Sequence, residues 1–448
     1  MTRIDVDAAY QLLSEDHPGN VPEAGDPDFQ RRLADVYAVA VERAALTQSL
    51  EGYRATMRGF ATMMGDKHIW SNMRVASRTV NWTGFLISLR GSDWVVGYVL
   101  EGATDAPPLG AKLISCDGVA ADKFAEERLA GFRAVWSVEA QRISSAPFLM
   151  IDDGNPFIQR ASGCTFEHDG EVQAMTLQWQ PIAPAELTPA IDKADPIGAP
   201  GHGVRKVGSG YWISLETLTG EAGAVVEAVR AEAEELRRAP FVVLDVRGNG
   251  GGDSSYGDEI ARALTGEADP KRSETGSAEC GVVWRTTDNV IRSLRDVDQR
   301  ELELGRQESA AAITQTLAKV QAAQAAGHSF SGPASCGQSS KDREEEPVQF
   351  PQRVVLLTDH SCFSSCLLVT DLFRQKGALH VGRTTDAATR YFEVREDTLP
   401  SGLSGFSTLQ AMHNGSPAQL GPFVPTVVFG GDVTNTPALE SWVQGLLN

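Results

Sequence analysis

The stretch Phe241-Val-Val-Leu-Asp-Val-Arg-Gly-Asn-Gly-Gly-Gly-Asp253 carries the fold in miniature. Four apolar residues followed by polar ones and a glycine cluster read as a buried strand emptying into a tight loop. Glycines let a backbone approach a bound group and turn N–H groups toward it, so such a loop can cradle a phosphate or an oxyanion. A P-loop would need a Lys after the glycines, and a dinucleotide fingerprint would need Gly-x-Gly-x-x-Gly; Gly248-Asn-Gly-Gly-Gly-Asp253 supplies neither. Asp253 and Asp258 would also repel phosphate. An oxyanion hole fits better, and a plain structural turn is the other reading.

On either side of this stretch the pattern alternates. Gly210-Tyr-Trp-Ile-Ser-Leu215 reads as a strand, residues 223–238 as a helix and 256–264 as another helix. Then come Arg353-Val-Val-Leu-Leu-Thr358, a helix over 366–376 and Leu379-His-Val-Gly382. Strands separated by helices of this length predict βαβ units and a mostly parallel sheet, an α/β core over residues 190–448. The core is interrupted at about 266–349 by a helical run, 297–326, and a polar segment ending Lys-Asp-Arg-Glu-Glu-Glu-Pro347. Its charge predicts a surface excursion, ordered at its helix and mobile beyond it, as decoration or as a lid.

Ahead of the core, residues 1–78 form a helical region: Phe29, Leu33, Val36, Tyr37 and Ala40, then Leu50, Tyr53, Met57 and Phe60, recur at helical spacing. It ends at Gly65-Asp66-Lys67-His68. Residues 79–180 show short apolar runs between Gly and Pro breaks and predict a β-rich module. Within it, Ala106-Pro-Pro-Leu-Gly-Ala-Lys-Leu-Ile-Ser-Cys-Asp-Gly-Val119 and the helix-like segment after it resemble the centre of a PDZ domain. Such a module would bind an extended peptide at a sheet edge.

The 448 residues are 42% hydrophobic, enough for two or three compact units. The net charge of −19 disfavours nucleic acid and anionic membrane surfaces. No run of 18 apolar residues suggests membrane insertion, and the N-terminus lacks a signal-peptide core. The chain as written reads as soluble and cytoplasmic, or as exported if a signal peptide has been removed, and the compartment stays open. Six cysteines, at 116, 164, 280, 336, 362 and 366, show no paired Cys-x-x-Cys, so no metal is expected. Cys280 and Cys336 could bridge in an oxidising compartment; free thiols are the default reading.

A second chemistry-bearing segment is Thr358-Asp-His-Ser-Cys-Phe-Ser-Ser-Cys366, which runs from a strand through a loop into a helix whose start carries Ser364 and Ser365. A serine there can be an N-cap or a nucleophile whose developing charge the helix end stabilises. Together, Asp245-x-Arg247-x-Asn249-x-Gly251-Gly252, the strand-loop-Ser-Ser-helix and Val381-Gly-Arg-Thr-Thr385 resemble the tail-specific, or carboxyl-terminal processing, serine peptidase family. The resemblance spans residues 210–429 and implies a crotonase/Clp-protease-like ββα core with Ser364 as nucleophile. One branch of that family uses a Lys base, but residues 382–391 hold none. The other branch resembles the tricorn core protease, whose histidine precedes the PDZ-like module, where His68 lies here.

The chemistry agrees, because a serine hydroxyl needs a neighbouring imidazole to take its proton. His360, His380 and His413 are the rivals. For the group that orients the base, the resemblance points to the position of Gln419 in place of the family's Glu, and Asp66, Asp386 and Glu393 are substitutes. Gly250 or Gly251 with Ser365 would form the oxyanion hole, while Asp245, Arg247 and Asn249 fix the loop. The implied function is a serine endopeptidase acting on peptides or unfolded and C-terminal protein segments, without cofactor or metal, with homo-oligomerisation left open. A non-catalytic peptide- or ligand-binding protein and an acyl hydrolase of a non-peptide ester or amide are the alternatives.

Overall fold

A computed structural model describes residues 1–76, 80–267, 281–336 and 348–447. The polar end of the insertion, 337–347, and Cys280 lie outside these residues. Helices α1 (Thr2–Asp16), α2 (Pro27–Leu46) and α3 (Leu50–Met63) make up the N-terminal region. Asp26 caps α2 by accepting from the Phe29 N–H at 2.9 Å, with Pro27 in the first turn, and Ser49 caps α3 through the Gly52 N–H at 3.0 Å. The predicted periodicity corresponds to the buried faces of these helices, Phe29, Leu33, Val36 and Ala40 on α2 and Tyr53, Met57 and Phe60 on α3. Next comes an antiparallel sheet in the spatial order Phe85–Arg90, Asp93–Val99, Lys112–Cys116, Gly163–His168, Glu171–Thr176.

The core sheet contains β1 (His202–Val207), β2 (Gly210–Leu215), β3 (Phe241–Asp245), β4 (Arg353–Thr358) and β5 (Leu379–Gly382), in that order, with Val427–Val428 beyond β5. β1 and β2 form an antiparallel hairpin at one edge, and β2 through β5 run parallel. All five residues of β3 are buried, as expected of a parallel strand covered on both faces. Val225, Val229, Ile260, Leu264, Val369 and Phe373 from three helices pack on one face. Leu439 and Val443 of the C-terminal helix cover Trp212, Val355 and Val381 on the other.

The insertion folds as two helices, α4 (Asp288–Glu303) and α5 (Gln307–Ala325), where a single helical run was expected. Gly305, at φ +73°, breaks the run, because a left-handed residue ends an α-helix. After β5, the hairpin β6 (Tyr391–Thr398) and β7 (Ser404–His413) forms the floor on which α1 to α3 rest. Phe60 packs on Phe406, and the Tyr53 hydroxyl lies 2.6 Å from Asp5 and 2.8 Å from Ser404 Oγ. Residues 71–73 then pair with β7, Ser71 opposite Phe406. That pairing carries the end of α3 to the mouth of the core sheet.

At the exit of β3 the Arg247 guanidinium is wholly buried. Its Nε lies 2.9 Å and its Nη2 2.6 Å from the two Asp245 carboxylate oxygens, while Nη1 donates to the Val433 carbonyl and Nη2 to Thr436 Oγ1. Trp212 Nε1 donates to Asp245 at 3.0 Å. Arg247→Ala leaves Asp245 buried without its cation and is expected to cost about 3–5 kcal/mol. A urea midpoint measured against wild type checks this, and a change within about 0.5 kcal/mol would contradict it.

Candidate active site

Ser364 opens α6 (Ser365–Gln375) at the end of the loop after β4, with φ +57° and ψ −128°. An L residue rarely occupies that region, and it persists only where the surroundings hold it. Directly beneath lies Gly251, at φ +106°, where a Cβ would fall 2.7 Å from Ser364 Cβ and 3.0 Å from Ser365 N. Any side chain there would push the serine out of place. The disulfide Cys362–Cys366 closes the loop around Ser364.

Asn249 joins the glycine loop to its surroundings. Its Nδ2 donates to the Leu215 carbonyl at 2.7 Å, its Oδ1 accepts from Gly251 N–H at 2.9 Å, and its carbonyl accepts from Phe363 N–H at 3.3 Å. Gly251 N–H is thereby engaged. The N–H groups of Gly250 and Ser365 donate to no acceptor among the described residues. Asp359, which sequence reasoning missed, ties the same two loops together by accepting from Gly248 N–H at 3.2 Å and Ser361 N–H at 3.0 Å. Its signal was its place directly after β4.

His68 reaches Ser364 across 296 positions of sequence: Nε2 lies 2.9 Å from Ser364 Oγ. Gly65, at φ +83°, ends α3, and the Asp66 carboxylate accepts the His68 backbone N–H at 2.8 Å, turning the chain so that the ring faces the core. Ser407 Oγ donates to the His68 carbonyl at 2.8 Å, and the imidazole packs on the Phe363 ring at 4.5 Å. The same Asp66 Oδ1 lies 2.8 Å from His68 Nδ1. A proton on Nδ1 directed at Asp66 leaves Nε2 free to accept from the serine.

Asp66 is buried, and Thr389 donates to its other oxygen through the backbone N–H at 3.1 Å and through the hydroxyl. Burial pushes this carboxyl up, but hydrogen bonds from His68 and Thr389 and the charge of His68 more than offset it, holding it below the ordinary aspartate range. Thr389 lies within the lysine-free segment 382–391.

The remaining candidates sit elsewhere. Asp386 accepts from Lys67 Nζ at 2.7 Å and from Gln141 Nε2 at 3.0 Å. Gln419 pairs through its backbone with Thr389 and is exposed, and Glu393 lies in the cleft; among the described residues neither hydrogen-bonds His68. His360 faces Asp195, with Nε2 3.1 Å from the carboxylate. Burial pushes the His360 imidazole down, yet the Asp195 hydrogen bond and charge raise it above its usual value. His380 contacts Thr358 Oγ1 at 2.8 Å and is lowered to about 4 by burial.

The free-thiol expectation does not hold. Cys116 and Cys164 face each other in register on adjacent strands and are bonded, Cys362 is bonded to Cys366, and Cys336 is also disulfide-bonded. Ser364 and His68 open onto a cleft of about 860 Å³. Leu368 of α6 lines one side, and Leu294, Val297 and Ile313 of α4 and α5 line another, so the insertion supplies a wall of the cleft. No helix among the described residues is long and apolar enough to cross a membrane.

Residues 212–403 match the model of peptidase family S41. The chain is a serine-type peptidase. The matched span contains the glycine loop and Ser364, whereas His68 and Asp66 precede it. No curated protein matches the sequence significantly. In fold, the chain is similar to mature CPAF, with a TM-score of 0.64 at 11% identity over 100% of this chain and 97% of that one. It is also similar to mature CPAF complexed with lactacystin, at 0.63 and 12% over 100% and 98%. The tricorn protease matches at 0.37 and 10% over 99% of this chain and 36% of that one.

Proposed function

We propose that the chain is an endopeptidase in which Ser364, His68 and Asp66 act as a triad on extended or unfolded polypeptide. The observation that carries this reading is the unbroken relay of contacts, 2.9 Å from Ser364 Oγ to His68 Nε2 and 2.8 Å from His68 Nδ1 to Asp66 Oδ1. Both lie within the reach that proton transfer requires. His68 Nε2 takes the hydroxyl proton as Ser364 Oγ attacks the scissile carbonyl carbon. The carbonyl oxygen becomes an oxyanion, which the N–H groups of Gly250 and Ser365 hold at the positive end of α6. His68 then gives its proton to the leaving amine, and water, activated by the same imidazole, hydrolyses the acyl-enzyme.

Asp66 holds the imidazole in the required tautomer and stabilises the imidazolium that forms. A purely binding role was suggested by Gln419 standing where the resemblance places a Glu. Asp66, 2.8 Å from His68 Nδ1, is a carboxylate able to do that work, which supports catalysis. Incubation of the full chain with a panel of unstructured peptides and simple esters tests the reading. Internal cleavage of peptides is expected, and hydrolysis confined to the esters would contradict it.

A further inference from the structure

Glu393, one of the candidates for orienting the imidazole, makes no hydrogen bond to His68 among the described residues, yet its placement is unusual. It lies in β6 with φ +62°, a backbone conformation an L residue rarely adopts within a strand. Its neighbours keep regular pairing, Phe392 with Ala411 and Val394 with Leu409. In an unbroken strand the side chain of Glu393 would share the face of Tyr391 and Arg395. Tyr391 is buried on that face, and Arg395 gives its guanidinium to Asp16 and Asp397. Glu393, by contrast, is exposed and lies in the lining of the cleft that holds Ser364 and His68, beside Tyr391, Phe392 and Val394. Strain of this kind concentrates where a side chain must be aimed.

The carboxylate has no hydrogen-bond or ion-pair partner among the described residues. The surrounding residues partly desolvate this surface-accessible carboxyl and raise its pKa, and no neighbouring cation counters that effect. In the same lining, Arg390 donates to the Ala24 carbonyl and Glu301 pairs with Arg306 at 3.3 Å. Asp253, also in the lining, accepts the Ser255 N–H at 2.9 Å. An unpaired carboxylate between apolar walls is stabilised by a cation that brings an aliphatic stem, as lysine and arginine side chains do.

We propose that Glu393 is the specificity-determining residue of this cleft and selects polypeptides carrying a lysine or arginine side chain at one fixed position relative to the scissile bond. The inference rests on the peptidase reading above. Cleavage of a mixed-sequence peptide library by the full chain, read by mass spectrometry, should show Lys and Arg enriched at one position. Matched peptides with Lys or norleucine there should differ in kcat/KM on the order of 10- to 100-fold. Glu393→Gln should bring that ratio to about 1, and Glu393→Lys should turn the preference toward Asp and Glu. Because the readout is a ratio, partial loss of folded protein does not mimic it. A library profile without cationic enrichment, or one unchanged in Glu393→Gln, overturns the proposal while Ser364 still takes up a small uncharged phosphonate. Absence of both cleavage and phosphonate uptake overturns the peptidase reading and this proposal with it.

Discussion

Ser364→Ala is expected to lower peptide hydrolysis by roughly 10⁴- to 10⁶-fold, with the thermal midpoint little changed. The hydroxyl is the atom that His68 contacts at 2.9 Å, so its removal takes away the nucleophile and its proton together. Alanine keeps the Cβ that rests on the bare Cα of Gly251, and so preserves the fit between the two loops. The strained φ of +57° is present in both proteins and cancels from the comparison. Steady-state kinetics with a peptide cleaved by wild type, beside a melting curve, checks the prediction. Retention of more than about a hundredth of the rate would place the nucleophile elsewhere.

Asp66→Asn is expected to cost roughly 10³- to 10⁴-fold in kcat. An asparagine amide can point its N–H at His68 Nδ1, which stabilises the tautomer with the proton on Nε2, and that tautomer cannot accept from the serine. The imidazolium formed in the transition state also loses the charge beside it. The Thr389 contacts, which favour an acceptor, and the buried position of Asp66 leave the amide little freedom to turn. Asp386→Asn makes the contrast, because its partners are Lys67 and Gln141, and it should affect stability more than the pH-independent rate. Equal losses in kcat for the two variants would contradict the assignment.

Asp66 also sets a sign for the pH dependence of folding. Its folded pKa lies below the usual aspartate value, so the stability it contributes is fully present above the unfolded pKa of about 4. That contribution is lost as the pH falls through the folded value. The difference in unfolding free energy between wild type and Asp66→Asn should therefore stay level from neutral pH to about 4 and shrink below it.

Much of the core was legible because its signals are local. Phe241 to Leu244 form a continuous apolar run because the strand is covered on both faces, and the glycines after it mark a loop whose backbone must approach another chain segment. The strand, loop and helix around Ser364 could be read in the same way. What local pattern cannot give is long-range pairing. That residues 71–73 lie along β7, and so carry His68 to Ser364, depends on a register set by side chains hundreds of positions apart.

The carboxylate beside His68 was obscured for a different reason. Asp66 is two residues from the histidine it contacts, and whether such a neighbour can bend back onto the ring depends on the left-handed turn at Gly65 and on Thr389 holding the second oxygen. Spacing alone reports neither. The same holds for Cys362 and Cys366, where the loop entering α6 turns back onto the helix's first turn and brings together residues that composition leaves as thiols. The role of the insertion as a cleft wall was hidden because its helix continues in pattern across Gly305, where the chain in fact reverses.

The proposed mechanism requires that His68 activate Ser364. The direct measurement is site mapping of a fluorophosphonate adduct by mass spectrometry on the full chain, in wild type and in His68→Ala. A single adduct on Ser364 is expected in wild type, with the labelling rate lower by at least about a thousandfold in His68→Ala. An adduct on Ser361 or Ser365, or labelling of Ser364 at an undiminished rate without His68, would contradict it.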